Sequence, residues 1–198
     1  MFFLILFLAH FQAVLIPMLL GIKSINKFKN LKNNALFPFG LFFFGLASLF
    51  EMMDHTQTYW IYIDHASLFN WLFYSFLSLG LTCLSISVIK NKFTIGINLL
   101  LSFFSIISYL LIGKKIAIVF QVIISLYLIF NWQRMFKDWL LIIYPIFGII
   151  LTILFGTNLS ISGDQMWHVF IGPSGTISVL TFYLVLKRSN KKITGGAL

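Results

Sequence analysis

The side chains able to do acid-base or metal chemistry are few in this sequence and unevenly distributed. The chain contains five acidic residues and four histidines, and seven of these nine lie in three short segments. Those seven are Glu51, Asp54 and His55, then Asp64 and His65, then Asp164 and His168. Carboxylates and imidazoles transfer protons in catalysis and bind zinc and related metals. The three segments are therefore candidate parts of one polar site.

Helical spacing gives several of these residues a common face. Residues three and four positions apart lie on the same side of a helix. Glu51, Asp54 and His55 have that spacing, and so have Asp164 and His168. If the helices that carry the three segments pack together, we expect the seven side chains to converge in one pocket.

The charge of the three segments indicates a cationic partner. They contain four carboxylates and neither lysine nor arginine. Charged groups withdrawn from water are unfavourable unless they are paired. A divalent metal would supply the missing charge, and a set of imidazole and carboxylate ligands suits zinc, with iron or manganese as alternatives. Lys114 and Lys115, in a different connection, are another possible source of positive charge.

Each residue taken alone also has a simpler explanation. Asp64 and Asp164 precede predicted helices, where aspartate commonly caps free N–H groups. His55 and His65 flank a short connection, where an exposed histidine needs no function. The functional interpretation therefore depends on these side chains lying together.

The composition predicts that membrane-spanning helices position these residues. Of the 198 residues, 60% are hydrophobic and only 10% are charged, which is outside the range of soluble domains. Hydrophobic stretches of about 20 residues match the thickness of a bilayer when they are helical. We therefore predict an all-α, integral membrane bundle of seven helices, with spans near 2–22, 35–54, 66–89, 94–112, 116–132, 139–156 and 165–186.

The distribution of basic residues predicts the orientation. Twelve of the 14 lysines and arginines follow the first, third, fifth and seventh spans, and only Lys114 and Lys115 lie on the other side. Basic residues collect in cytoplasmic connections. We therefore expect the N-terminus outside, the C-terminus inside, and all three polar segments at the outer face.

The same pattern bounds the domain organisation and the partners. We predict a single transmembrane domain over 1–188, a cytoplasmic tail over 189–198, and a location in a bacterial inner (plasma) membrane. The net charge of +9 is scattered over short connections and the tail, so we expect no nucleic-acid partner.

The arrangement resembles the CREST superfamily of seven-helix membrane proteins, which includes alkaline ceramidases, progestin and adipoQ receptors and haemolysin III-like proteins. That superfamily carries a serine and a histidine four apart on helix 2, an aspartate near the start of helix 3 and two histidines four apart on helix 7. Its three histidines bind zinc. The matching positions in this sequence are Glu51 and His55, Asp64, and Asp164 and His168.

Two positions depart from that pattern. Glu51 replaces the serine of helix 2, and Asp164 replaces the first histidine of helix 7. A site with three histidines would therefore need His65 or His10.

The resemblance implies a metal-dependent hydrolase of a lipid amide or ester, similar to a ceramidase, with its site near the outer face. In this hypothesis the metal activates a bound water. The metal ligands are His55, His65, Asp164 and His168, and the catalytic carboxylates are Glu51, Asp54 and Asp64.

The alternative is a non-enzymatic sensor or receptor, or a small ion- or proton-coupled transporter that uses the same cluster. A transporter would need polar residues that continue towards the cytoplasmic side. The sequence offers few of these, which favours a site over a path. The third span has Ser75, Ser78, Thr82, Ser85 and Ser87, and the first, fourth, fifth and sixth have little beyond His10, Gln12, Asn98, Gln121 and isolated serines. Haem binding is a weaker alternative, because no CxxCH motif is present.

Overall fold

The chain is mainly helical over the part that the computed structural model describes. The described backbone covers residues 2–25, 27–28, 33–60, 66–142 and 165–195. Side chains are described over residues 4–25, 27–28, 33–54, 68–142 and 172–190. The long helices in these ranges are α1 (Phe2–Ser24), α2 (Leu36–Trp60), α3 (Ala66–Val88), α4 (Lys92–Leu111), α5 (Lys114–Phe136) and α6 (Gln165–Gly195).

Five of these helices are long and apolar enough to cross a membrane. The candidate spans lie in α1 to α5 and are 19 to 23 residues long. Their positions confirm the first five predicted spans to within a few residues. A helix satisfies its own backbone N–H and C=O groups, which is why such stretches are stable in lipid.

The last two predicted spans have different outcomes. The sixth, 139–156, falls mostly outside the described residues. The seventh corresponds to α6, which continues to Gly195 and so extends beyond the predicted end at residue 186.

Helix α3 has a central position in the described bundle. It packs against α2, α4 and α5, while α1 packs against α2 and α6. Near one end of the bundle, Trp132 of α5 is fully buried. Its indole N–H donates to the carbonyl of Leu84 at 2.9 Å, and its ring meets Phe182 of α6 edge-on at 4.8 Å.

Glycines allow α2 and α3 to approach closely. A Cβ on Gly40 would lie 3.1 Å from the carbonyl oxygen of Gly80, and a Cβ on Gly80 would lie 3.2 Å from that of Gly40. Small residues at a crossing let membrane helices gain van der Waals contact over their backbones. This crossing aligns the later part of α2 with the first turns of α3.

A two-residue connection joins α4 to α5. Gly113 has a φ of 120°, a conformation that side chains rarely adopt. Its N–H donates to the carbonyl of Ser108 at 2.9 Å. The chain therefore turns at once, and Lys114 becomes the first residue of α5.

Helix α4 has the reverse of the pattern expected in a soluble protein. Its buried residues are all polar, namely Asn98, Ser102, Ser105 and Ser108. Large apolar side chains such as Leu99 and Phe103 point away from the bundle, with 54% and 57% of their surface exposed. Lipid allows this arrangement because apolar side chains gain nothing by turning inwards.

Candidate functional site

Two of the predicted carboxylates lie on one face of α2, near its end. Glu51 is buried, with 6% of its surface exposed, and Asp54 is partly buried. The two residues interact electrostatically with each other. The predicted pairing of these two acids along a helix face is thus present in the structure.

Asp54 is connected to α3 and α4 by hydrogen bonds. The side-chain amide of Asn70 donates to Asp54 Oδ2 at 3.0 Å. The carbonyl oxygen of the same amide accepts a hydrogen bond from the Tyr109 hydroxyl at 2.9 Å. One asparagine of α3 therefore links an acid of α2 to a tyrosine of α4.

Tyr74, one turn after Asn70, completes this side of the site. Its ring lies 5.6 Å from that of Tyr109, and its hydroxyl interacts electrostatically with both carboxylates. We call Glu51, Asp54, Asn70, Tyr74 and Tyr109 the acid cluster. It draws on α2, α3 and α4.

Positive charge reaches the acid cluster from α5. Lys114 interacts electrostatically with both Glu51 and Asp54. Its ammonium lies 5.9 Å from the centre of the Tyr74 ring, which is within the range of a cation–π contact. Lys114 is therefore a counter-charge for the acid cluster. The sequence had left open whether a metal or a lysine supplies this positive charge.

A network of neutral polar groups continues from Tyr74 into the bundle. The Gln121 amide of α5 donates to the carbonyl of Tyr74 at 2.8 Å and to the Ser78 hydroxyl at 3.0 Å. Ser78 and Ser105 have their hydroxyl oxygens 2.8 Å apart, and the Ser105 hydroxyl donates to the carbonyl of Ala117. We call Ser78, Ser105 and Gln121 the serine network.

Most of the other predicted site residues cannot be located at the level of side chains. Asp64, His65 and Asp164 lie outside the described residues. The backbone of His55 belongs to α2 and that of His168 to α6, but their side chains are outside the described part. The predicted metal ligands therefore stay predictions. Among the side chains that the structure does describe, no group of three or more histidine, cysteine, aspartate or glutamate residues could hold a metal.

His10 lies where α1 crosses α6. It is fully buried, and its Nδ1 is 2.9 Å from the carbonyl oxygen of Leu6. A Cβ on Gly172 of α6 would collide with the carbonyl oxygen of Ala9 and lie 3.4 Å from the backbone nitrogen of His10. The seventh predicted span thus packs against the first.

The neutral members of the acid cluster, Asn70, Tyr74 and Tyr109, were not predicted from the sequence. Asn70, Tyr74 and Ser78 repeat every four residues on α3, and this spacing puts them on one face. A similar repeat on α4 brings Ser105 and Tyr109 together. These repeats were available in the sequence, but the residues that oppose each other across two helices are fixed only by packing.

The comparison with known families agrees with this architecture. Residues 1–192 match the family model described as a seven transmembrane receptor. The chain belongs to this family. As a member of the seven transmembrane receptor family, it is a multi-pass integral membrane protein, which confirms the predicted fold class and location in a membrane.

The family match also bears on the other predictions. It supports the receptor alternative better than the hydrolase. Membership of the CREST superfamily is not confirmed. No curated protein and no solved structure matches the chain.

Proposed function

We propose that this protein is a membrane receptor or sensor whose acid cluster binds a small cation. The description of the matching family as receptors supports the general class. The observation that carries the ligand chemistry is the pair of carboxylates, Glu51 and Asp54, beside the Lys114 ammonium and the Tyr74 ring.

Burial makes the two acids dependent on a cation. Glu51 is 6% exposed, and within the described part of the chain its carboxylate accepts no hydrogen bond. An ionised carboxylate at membrane depth is stable only with a positive partner or strong hydrogen-bond donors. Asp54 accepts a hydrogen bond from the Asn70 amide, and both acids lie near the positive charge of Lys114.

Lys114 indicates which kind of cation suits the cluster. It is exposed, and it brings a primary ammonium over the face of Tyr74 near both carboxylates. Aromatic faces combined with carboxylates are a common means of recognising ammonium groups. A cationic ligand with an ammonium group would compete with this lysine for the same position.

A receptor also needs its ligand site to touch several helices. Side chains from α2, α3, α4 and α5 meet at the acid cluster, through Asp54, Asn70, Tyr109 and Lys114. A ligand that replaces Lys114 changes the contacts of α5 with the other three helices. A difference in contacts between two states is what allows a ligand to shift their populations.

The test uses the full chain in detergent with methylammonium as the probe. We expect the Tm, measured by tryptophan fluorescence, to rise with the methylammonium concentration at constant ionic strength. A ligand that binds the folded state stabilises it. Glu51→Gln should weaken the apparent affinity by about tenfold or more, since it removes one of the two carboxyl groups that can pair with the ammonium.

The lysine variants provide the matched comparison. Lys114→Met removes the internal competitor and should raise the apparent affinity by about tenfold if the competing contact is worth about 1.4 kcal/mol. Lys115→Met removes the adjacent charge, for which no interaction with the carboxylates is found, and should leave the affinity unchanged. A response that Glu51→Gln leaves intact, or equal responses from the two lysine variants, would contradict the proposal.

The hydrolase hypothesis is supported by no described contact. It remains a prediction that elemental analysis would test, by comparing the purified protein with a His55→Ala, His168→Ala double variant. Stoichiometric metal in the first and its loss in the second would favour a metal site.

A further inference from the structure

A polar face of α4 opposes a polar face of α3 where Tyr74 meets Tyr109 and Ser78 meets Ser105. On α3 the buried residues Ser75, Ser78, Thr82 and Ser85 lie on one side. On α4 the buried residues are the four polar ones described above. The two helices are antiparallel, because Tyr74 contacts Tyr109 and Ser78 contacts Ser105.

The contact between Ser78 and Ser105 sets the register of the two antiparallel helices. Continued by one turn, this register puts Thr82 of α3 at about the depth of Ser102 of α4. Continued by a second turn, it puts Ser85 at about the depth of Asn98. We call Thr82, Asn98 and Ser102 the Thr82 group.

All three members of the Thr82 group bury a polar atom without a partner. Their exposed fractions are 2%, 0% and 3%. Within the described residues, Thr82 Oγ1, Asn98 Oδ1 and Ser102 Oγ make no hydrogen bond. The Asn98 amide nitrogen does donate to the carbonyl of Thr94 at 2.8 Å.

Several other hydroxyl groups in the same bundle behave differently, although that of Ser75 also has no partner among the described residues. The hydroxyls of Ser78, Thr176 and Ser178 each donate to the carbonyl four residues earlier, at 2.7 to 3.1 Å. This is the usual way in which serine and threonine are satisfied inside membrane helices. The hydroxyls of Thr82 and Ser102 do not take it, so simple packing of small residues does not account for them.

Three buried, unsatisfied polar atoms at neighbouring depths on two packed helices are a suitable site for water. Leaving a buried polar atom unpaired costs about 1 to 3 kcal/mol. Buried water typically makes about three hydrogen bonds to such atoms. The Thr82 group offers that number of partners.

We propose that the Thr82 group binds internal water between α3 and α4, and that this water is open to the end of the bundle where Ser85 lies. With the serine network, the water forms a polar path from the acid cluster towards that end. Ser85 continues the path, since its hydroxyl accepts a hydrogen bond from Asn131 of α5 at 3.5 Å. From Asn70 to Ser85 the path follows about 22 Å of helix, out of a hydrocarbon thickness of about 30 Å. This proposal goes beyond the cation site and does not depend on it.

The test measures the chemical reactivity of cysteines introduced at these positions. The native thiol is first removed by Cys83→Ser. Thr82→Cys, Asn98→Cys and Ser102→Cys are then made singly in that background and reconstituted in lipid nanodiscs. Each is treated with 2-aminoethyl methanethiosulfonate, which reacts with the thiolate, and a thiolate forms only where water is present. Mass spectrometry follows the rate of modification.

Lipid-facing positions on the same helix are the matched controls. Leu99→Cys and Phe103→Cys lie on the exposed face of α4. We expect the three variants of the Thr82 group to react at least about tenfold faster than these two, because deprotonation of the thiol is suppressed in apolar surroundings. Serine to cysteine is a small change, so Ser102→Cys is the variant expected to keep the fold, as checked by its Tm.

Rates equal to those of the lipid-facing controls in every folded variant would overturn the proposal. The space between α3 and α4 would then contain no water, and the polar residues of the Thr82 group would contribute only to packing. Loss of methylammonium binding in Glu51→Gln has no bearing on this result, so the two proposals fail separately.

Discussion

At Gly172 the backbone of α6 lies directly against the backbone of α1. Any Cβ there would meet the backbone of Ala9, which cannot move away as a side chain can. Gly175, less than one turn further along the same helix, has open space around its Cα. The two glycines therefore differ in their surroundings and not in the helix that carries them.

This difference predicts the effect of two otherwise identical substitutions. Gly172→Ala should destabilise the protein by about 1 to 3 kcal/mol, because α1 and α6 must separate to admit the methyl group. Gly175→Ala should be neutral or slightly stabilising, because alanine favours the helix. Thermal unfolding of both variants in the same detergent measures the difference. An equal loss of Tm in the two would show that the crossing is looser than described.

At the scale of single residues, the sequence predicted the acids of the site and not their partners. Glu51 and Asp54 could be paired from their spacing along one helix. Asn70, Tyr109 and Lys114 belong to other helices, and their meeting depends on how those helices are aligned. Local periodicity contains no information about that alignment, which packing between helices decides.

At the scale of helices, the crossing of α2 and α3 sets that alignment. A Cβ on Gly80 would lie 2.8 Å from the ring of Phe44, as well as close to the Gly40 carbonyl. A large side chain there must push α2 away from α3. The hydrogen bond between Asp54 and Asn70 lies further along the same pair of helices, so it depends on the crossing.

We predict that Gly80→Leu lowers the stability and weakens the response to methylammonium. Overpacking of this kind costs about 1 to 3 kcal/mol. Gly96→Leu on α4 is the control, because no atom lies within 4 Å of the added Cβ. Tm and the methylammonium titration should change in the first variant and stay unchanged in the second. A normal titration in a folded Gly80→Leu protein would separate the site from the crossing.

The spans themselves were the most predictable elements, because length and apolar composition suffice to define them. The structure confirms the first five, whereas α6 runs on to Gly195 through residues that the sequence assigned to the tail. The polar faces of α3 and α4 were also visible as repeats of serine, threonine and asparagine. On each helix taken separately, these residues have no evident role. Their role as one polar region depends on the two helices facing each other.

At the scale of the whole molecule, the orientation in the membrane is the prediction with the widest consequences. Twelve of the 14 lysines and arginines follow the odd-numbered predicted spans, which favours a cytoplasmic C-terminus. With that orientation the acid cluster is near the outer face, and the Ser85 end of the polar path is near the cytoplasm.

Reporter fusions test this orientation. A fluorescent protein fused after Leu198 should fold and fluoresce, and alkaline phosphatase fused at the same position should be inactive, because the phosphatase needs an oxidising compartment to form its disulfides. The same two reporters fused within the connection at Gly113 should behave in the opposite way. An active phosphatase at the C-terminus would reverse the orientation of every site described above.

The short turn at Gly113 has a mechanical consequence. Only Ile112 and Gly113 separate α4 from Lys114. Because this connection is so short, the backbone of Lys114 cannot move far from the acid cluster. Its ammonium can swing by the length of its own side chain and no further. Any larger displacement must tilt α5, whose far end carries the buried Trp132. Displacement of the Lys114 ammonium from the acid cluster would therefore also move the opposite end of α5, around Trp132.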